Sequence, residues 1–159
     1  MKIKVVGVGK IKESYLVAGI EEYAKRLKKY TKLEIVEVPD ESIPDNCSLA
    51  TETIIKSKEG RKVLDKIKQD EYVILLDLEG EEIGSVQLAE KIAKCMIDGK
   101  SNITFVIGGS LGHGSEVIDR ANYRLSFSKM TFPHQLMRLI LMEQIYRAFK
   151  IMKNEKYHK

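Results

Sequence analysis

Apolar residues recur along this chain in two rhythms. Five short runs are nearly continuous in branched and aromatic residues: KIKVVGV (2–8), LEIVEV (33–38), YVILLDL (72–78), ITFVIG (103–108) and YRLSFS (123–128). Several lack the alternate polar face of a half-exposed strand, so they predict parallel strands covered on both sides. Between them the spacing changes to three and four. SYLVAGIEEYAKRLKKY has Ser14 as its predicted N-cap and a stripe through Leu16, Ile20, Ala24 and Leu27. SLATETIIKSKEGRKVLDKIK starts at Ser48 with a weaker stripe at Ile54, Leu64 and Ile67. SVQLAEKIAKCMIDG starts at Ser85 and turns Leu88, Ala89, Ile92, Ala93 and Met96 inward, with Gly99 placed for the C-terminal turn. Strand and helix alternate throughout, which predicts an α/β fold with a mostly parallel sheet and helices on both faces. No linker or internal repeat divides residues 1–159, so one domain is expected.

The last helix departs from this pattern. Pro133 suits a first turn, and Leu136, Met137, Leu139, Ile140, Leu141 and Met142 then cover nearly the whole circumference. A helix apolar all round must be covered all round. One sheet covers one face, so the pattern predicts a second subunit over the other. Arg138 and Arg147 lie nine positions apart on this helix and face different directions; Glu143 and Arg147 form an i,i+4 pair, expected to be a surface bridge.

Composition fits a globular chain long enough to bury a core: 159 residues, 43% hydrophobic and 31% charged. No apolar stretch approaches the roughly 20 residues that span a bilayer, and MKIKVVGVGK lacks a signal-peptide pattern. Cys47 and Cys95 are widely separated, as expected for reduced thiols in a cytoplasmic protein. The net charge of +4 pushes only mildly toward polyanions, but its placement is uneven. KRLKKYTK (25–32) is basic, the last ten residues hold four lysines against one glutamate, and DLEGEE (77–82) is acidic.

Candidate chemistry collects after three strands. FVIGGSLGHGS (105–115) runs from a strand into a glycine-rich turn, where a ligand can approach the backbone. It is not a Walker A loop, because Gly114 rather than a lysine precedes Ser115. Nor is it a Rossmann fingerprint, which opens the first βαβ unit rather than following a fourth strand. LLDLEGEE follows the third strand and LSFSKMTFPH (125–134) the fifth. Three loops at the carboxyl ends of parallel strands can converge on one pocket. The third mixes Ser126, Ser128 and Thr131 with Phe127, Met130 and Phe132, which suits either a flat heteroaromatic ligand or a helix-capping loop with core anchors. His113, His134 and His158 are isolated, so no metal site is expected, and no nucleophile elbow is present. His134 is expected to begin a helix.

Taken together, LLDLEG, FVIGG, LSFSKMTFPHQLMRLILMEQIYRAFKI and the closing YHK resemble the SPOUT superfamily of knotted methyltransferases. Within it they are most similar to the minimal enzymes that methylate N3 of a pseudouridine in large-subunit ribosomal RNA. The resemblance covers nearly the whole chain. It implies a C-terminal trefoil knot, S-adenosyl-L-methionine as cofactor, a homodimer, and as substrate the 23S rRNA stem-loop at the subunit interface of the assembled 70S ribosome. Leu76, Gly108 and the loop Phe127, Ser128, Lys129, Met130, Thr131 and Phe132 are the implied cofactor contacts. The turn here reads GGSLGHG where GG-A/P-x-G-L is frequent, which leaves the role of Gly112 to Gly114 open. NEKYHK stands where GEPYHK is common, keeping Tyr157 and His158 in register. A pseudouridine N3–H must lose its proton before it can accept a methyl group, so a base active near neutrality is needed. Tyr157, His158 and Arg147 are the expected catalytic residues, acting from a tail laid over the partner subunit's pocket. Lys153, Lys156 and Lys159 are expected to meet phosphates.

Overall fold

Side-chain alternation along the strands sorts the core into two layers. In the computed structural model, which describes all 159 residues, the strands are β1 (Lys2–Val8), β2 (Lys32–Val38), β3 (Tyr72–Glu82), β4 (Asn102–Ile107) and β5 (Tyr123–Ser126). The helices are α1 (Ser14–Leu27), α2 (Leu49–Leu64), α3 (Ser85–Ile97), α4 (Ser115–Arg120) and α5 (His134–Met152). All four strand pairings are parallel, in the order β2-β1-β4-β3-β5. Ile3, Val5, Ile74, Leu76, Ile103 and Phe105 pack against α1, α3 and α5. Their neighbours Val6, Val8, Val73, Leu75 and Val106 pack against Val63 of α2 and Val117 of α4. Both faces of β1, β4 and the first half of β3 are therefore dry, which is why these strands read as continuous apolar runs. Edge strand β2 leaves Ile35 and Glu37 exposed.

Lys4 looks misplaced in such a strand, yet it is 5% exposed. Its Nζ donates to Glu71 Oε1 at 2.6 Å and to the Lys66 carbonyl at 2.7 Å, while the Thr104 hydroxyl donates to Glu71 Oε2 at 2.7 Å. Each buried polar atom thus has a partner, the condition under which such a charge is tolerated.

Helix boundaries show where sequence pattern and structure part. Ser48 caps α2 as expected, its hydroxyl accepting from Thr51 N–H. The expected Ser14 cap is instead the first helical residue, with Glu13 at the cap position, whereas α3 begins at Ser85 as expected, with Gly84 at its cap. At α3 the Gln87 carbonyl oxygen accepts the Gly84 N–H, so a side chain one turn inward supplies the acceptor. Gly99, at φ +76°, ends α3 as expected: its N–H reaches Met96 O and the Lys100 N–H reaches Cys95 O. Pro133 lies just before α5, at the cap rather than in the first turn.

Two helical stripes fail at one position each; elsewhere Leu64 and Ile67 pack on the second core layer and Leu88, Ala89 and Ile92 are buried, as expected. In α2 the inward residues are Ile55, Glu59, Gly60 and Val63, whereas Ile54 faces solvent. Glu59 is buried because its carboxylate accepts the Glu41 N–H, and a Cβ on Gly60 would press on Val117. In α3 Met96 is exposed and Cys95 takes the inward position. α4, only six residues long, carried no periodic signal.

Candidate functional site

Three strands end side by side. β5 pairs with β3 up to Leu76, then again at Glu81 and Glu82, so residues 77–80 are left out of register. A Cβ on Gly80 would lie 2.7 Å from the Arg124 backbone, so only glycine lets the two strands rejoin. In the irregular stretch Asp77 takes two hydrogen bonds from Arg124, at 2.9 and 2.7 Å, and one from the Glu79 N–H at 3.0 Å. Burial pushes the Asp77 carboxyl up, but these donors outweigh it and hold it below the usual carboxylate range.

After β4 the chain doubles back tightly. Gly109 and Gly112 form a bridge, with the Gly112 N–H reaching Gly109 O at 3.1 Å and φ +89° at Gly112. That positive φ explains a glycine at 112 and answers part of what the sequence left open. The turn throws His113 back over the strand ends, its Nε2 2.7 Å from the Leu76 carbonyl oxygen. A carbonyl only accepts, so Nε2 carries the proton and the ring is in one tautomer. Burial holds His113 below its ordinary pKa, against the opposing pull of that bond and of Asp77. Its ring fills the space a Cβ on Gly108 would need, at 2.9 Å. Sequence reading passed over His113 as isolated; the signal available was its position between two glycines at a strand's carboxyl end.

The third loop is braced from within: the Ser126 hydroxyl donates to Ser128 O, and the Ser128 hydroxyl accepts the Met130 N–H, both at 3.0 Å. These three loops enclose a cleft of about 870 Å³, within the range of small-molecule sites. Leu76, Gly108, Phe127, Ser128, Met130, Thr131 and Phe132 all line it, and Lys129 does not. His134 and Met137, from the start of α5, complete the wall. Apolar walls of Ile107, Phe127 and Met137 beside backbone groups and the Asp77–Arg124 pair suit a flat ring bearing polar substituents.

A second cluster forms where the tail meets α5. Tyr157 packs edge-on against Tyr146, with centroids 5.0 Å apart, and its hydroxyl donates to Glu143 Oε1 at 3.0 Å. Arg147 Nε and Nη2 donate to the same oxygen at 3.0 and 2.6 Å, and Arg147 Nη1 lies 3.1 Å from His158 Nδ1. The expected surface bridge is thus a half-buried hub tying three side chains together. Arg138, facing the other way as expected, is 3% exposed and grips the carbonyls of Val8 and Gly9.

Burial, with Tyr23 and Glu143 as hydrogen-bond partners, raises the Tyr157 hydroxyl well above the ordinary phenol range. Tyr157 therefore donates rather than ionises. Guanidinium cannot accept, so His158 Nδ1 must, leaving the proton on Nε2. None of Arg147, Tyr157 and His158 lines the cleft. One chain therefore places the two predicted sets of site residues in separate clusters. No group of three or more His, Cys, Asp or Glu side chains is arranged to hold a metal ion, and no helix is long and apolar enough to cross a membrane.

Comparison with known proteins places this geometry among relatives. The family model described as "Predicted SPOUT methyltransferase" matches residues 1–158. Ribosomal RNA large subunit methyltransferase H 1 of Clostridium perfringens strain SM101 is 60% identical over 159 residues, covering all of both chains. Ribosomal RNA large subunit methyltransferase H of Clostridium botulinum strain 657 is 58% identical over the same span. Among solved structures, the tRNA (m1G37) methyltransferase from Aquifex aeolicus superposes with TM-score 0.56 at 12% identity, over 92% of this chain and 70% of that one, a likeness of fold.

Proposed function

The chain belongs to the SPOUT methyltransferase family, and from that premise we propose that it is an S-adenosylmethionine-dependent methyltransferase of large-subunit ribosomal RNA. Its acceptor in this reading is N3 of a pseudouridine in the 23S rRNA stem-loop at the subunit interface of the assembled 70S ribosome. The enzyme acts as a cytoplasmic homodimer and carries the trefoil knot of the family. The observation that carries the reading is the cleft: the loops expected to hold the cofactor converge at the ends of β3, β4 and β5. Relatives 58–60% identical over the full length are named as methyltransferases of large-subunit ribosomal RNA, which supports the reading to that extent.

The cleft residues fit the cofactor. Leu76, Ile107, Phe127 and Met137 would give apolar walls to a flat ring, and Gly108 and the 127–132 loop would offer it backbone groups. Asp77, held ionised by Arg124, lines the wall as half of an ion pair and would offer polar contacts rather than net charge. When bound, S-adenosylmethionine supplies an electrophilic methyl group.

This chain's own residues must expose a lone pair on N3. Tyr157 stays a phenol whose single proton is held by Glu143, which leaves its oxygen to accept a hydrogen bond from the nucleobase. His158 can take a proton at Nδ1 only once Arg147 has released it, because that nitrogen accepts from Arg147 at rest. Arg147 swinging from His158 to the imide anion would perform both tasks at once, freeing the base and neutralising the charge that proton loss creates. With the tail cluster outside its own cleft, the tail serves the cleft of the partner subunit.

Glu143 then acts as a positioning residue, since it holds Arg147 and Tyr157 through one oxygen. Glu143→Gln keeps the shape and removes the charge. We expect kcat to fall about 10- to 100-fold with cofactor affinity unchanged in calorimetry; an unchanged kcat would dismiss the hub. The function itself is tested by supplying methyl-tritiated S-adenosylmethionine with intact ribosomes, or with free tRNA, from cells lacking this protein. Label is expected in 23S rRNA of 70S particles, and labelling of tRNA alone overturns the assignment.

A further inference from the structure

Away from the cleft and the hub, the densest uncompensated charge lies where α1 ends. Lys25, Lys28, Lys29 and Lys32 are all exposed there. The tail returns to this end: the Tyr30 hydroxyl donates to Glu155 Oε2 at 2.6 Å, and Tyr30 stacks on Phe149 with centroids 5.8 Å apart. Three of the carboxylates nearby are already engaged, and Glu21, one turn before Lys25, forms no ion pair. Glu155 meets Lys150 at 2.6 Å and Lys29 at 3.9 Å, Glu22 pairs with Arg26, and Glu34 pairs with Lys2. Lys25, Lys28 and Lys32, with Lys153, Lys156 and Lys159 of the tail, form no ion pair. Lys28, Lys29 and Lys32 also border an open hollow beside Tyr30.

We propose that the α1 C-terminal end and the tail form one continuous surface that holds the phosphate backbone of the RNA flanking the target nucleotide. The proposal rests on the rRNA methyltransferase reading and extends it to a partner surface. Two sequence-remote basic segments, 125 residues apart, are joined by the Tyr30–Glu155 bond, so the lysines and the hub residues Tyr157 and His158 share one framework. A polyanion suits this face better than a lipid surface. None of the exposed large apolar side chains falls within 25–33 or 149–159, so nothing is available to enter an acyl layer. Ammonium groups without acidic partners are those free to displace counterions from phosphates.

The test compares Lys28→Ala/Lys32→Ala with Lys58→Ala/Lys68→Ala, which removes the same charge from other exposed positions. Methyl transfer to intact ribosomes is measured across a salt series. For the first pair KM is expected to rise about five- to tenfold with kcat unchanged, and the slope of log KM against log salt to fall by about 1.5. The control pair is expected to match wild type. Equal behaviour of the two pairs overturns the surface, and so does a KM increase with no change in salt slope, the result expected if the lysines contact ribosomal protein. A wild-type enzyme inactive on ribosomes removes the function and this surface with it, whereas active wild type beside an unaffected Lys28/Lys32 variant removes the surface alone.

Discussion

Deleting Tyr157–Lys159 is expected to leave a folded protein that binds S-adenosylmethionine with unchanged affinity but methylates ribosomes at least about 100-fold more slowly. The magnitude follows from losing a positioned proton acceptor and its hydrogen-bonding neighbour together, an effect of roughly 10²–10⁴. Structure argues that the fold survives. Tyr157 is only half-buried, and its loss uncovers one side of Tyr146 and one hydrogen bond to Glu143. Such an aromatic edge contact is worth about 1 kcal/mol. No residue lining the cleft in its own chain is deleted, and the partner's tail acts on the nucleobase, so cofactor affinity is expected to hold. Calorimetry, a thermal melt and single-turnover methyl transfer read the three quantities separately. Activity within a few-fold of wild type would show that the tail is merely a polar end.

The second large effect is on stability. Arg138→Met keeps an unbranched side chain of similar length and removes the guanidinium. That group donates to the Val8 carbonyl at 3.0 Å, to the Gly9 carbonyl and to Glu37, and the residue is 3% exposed. Without it, two carbonyls at the end of β1 lose their donor inside the protein, while Glu37, partly exposed, can turn to water. Leaving buried acceptors unpaired puts the cost at about 2–4 kcal/mol. For a chain of this size that is a drop in Tm of roughly 5–15 °C. Gly7→Ala is expected to act in the same direction, because its Cβ would overlap the Arg138 guanidinium. A melt of Arg138→Met within 2 °C of wild type, taking about 2 °C as the shift a change under 1 kcal/mol produces, would show that the grip is not needed.

What the sequence disclosed depended on whether the cause was local. Strands buried on both faces must be apolar throughout, so β1 and β4 were legible almost to the residue. The extension of β3 to Glu82 was not, because Glu79, Gly80, Glu81 and Glu82 have no apolar face; backbone pairing with β5 and the absence of a Cβ on Gly80 hold that stretch. Glu59 defeated the stripe in α2 for a similar reason, since a distant amide at Glu41 satisfies its carboxylate. The three loops of the cleft stood out because strand ends are where a parallel sheet places ligands. Lys129 entered that set only as part of a contiguous motif, and its side chain stays outside the cleft. His113 escaped notice because its role is set by a turn that folds it onto a carbonyl 37 positions earlier. The tail hub was half visible: Glu143 and Arg147 share a helical face, but Tyr157 joins them only once the chain has reversed after Lys153.

The contact between Arg138 and Val8 spans 130 positions, and β1 finds one of its two neighbours in β4, about a hundred residues downstream. During synthesis the first strand therefore emerges long before the partners that complete it. The segment through α1 and β2 has no finished sheet to join until β4 appears, and no lock until α5 follows. Closing loops of that length is slow because the entropy is lost before the contacts form. The last helix to be made thus secures the first strand, and the newly made chain must remain free of aggregation until its final fifth is available.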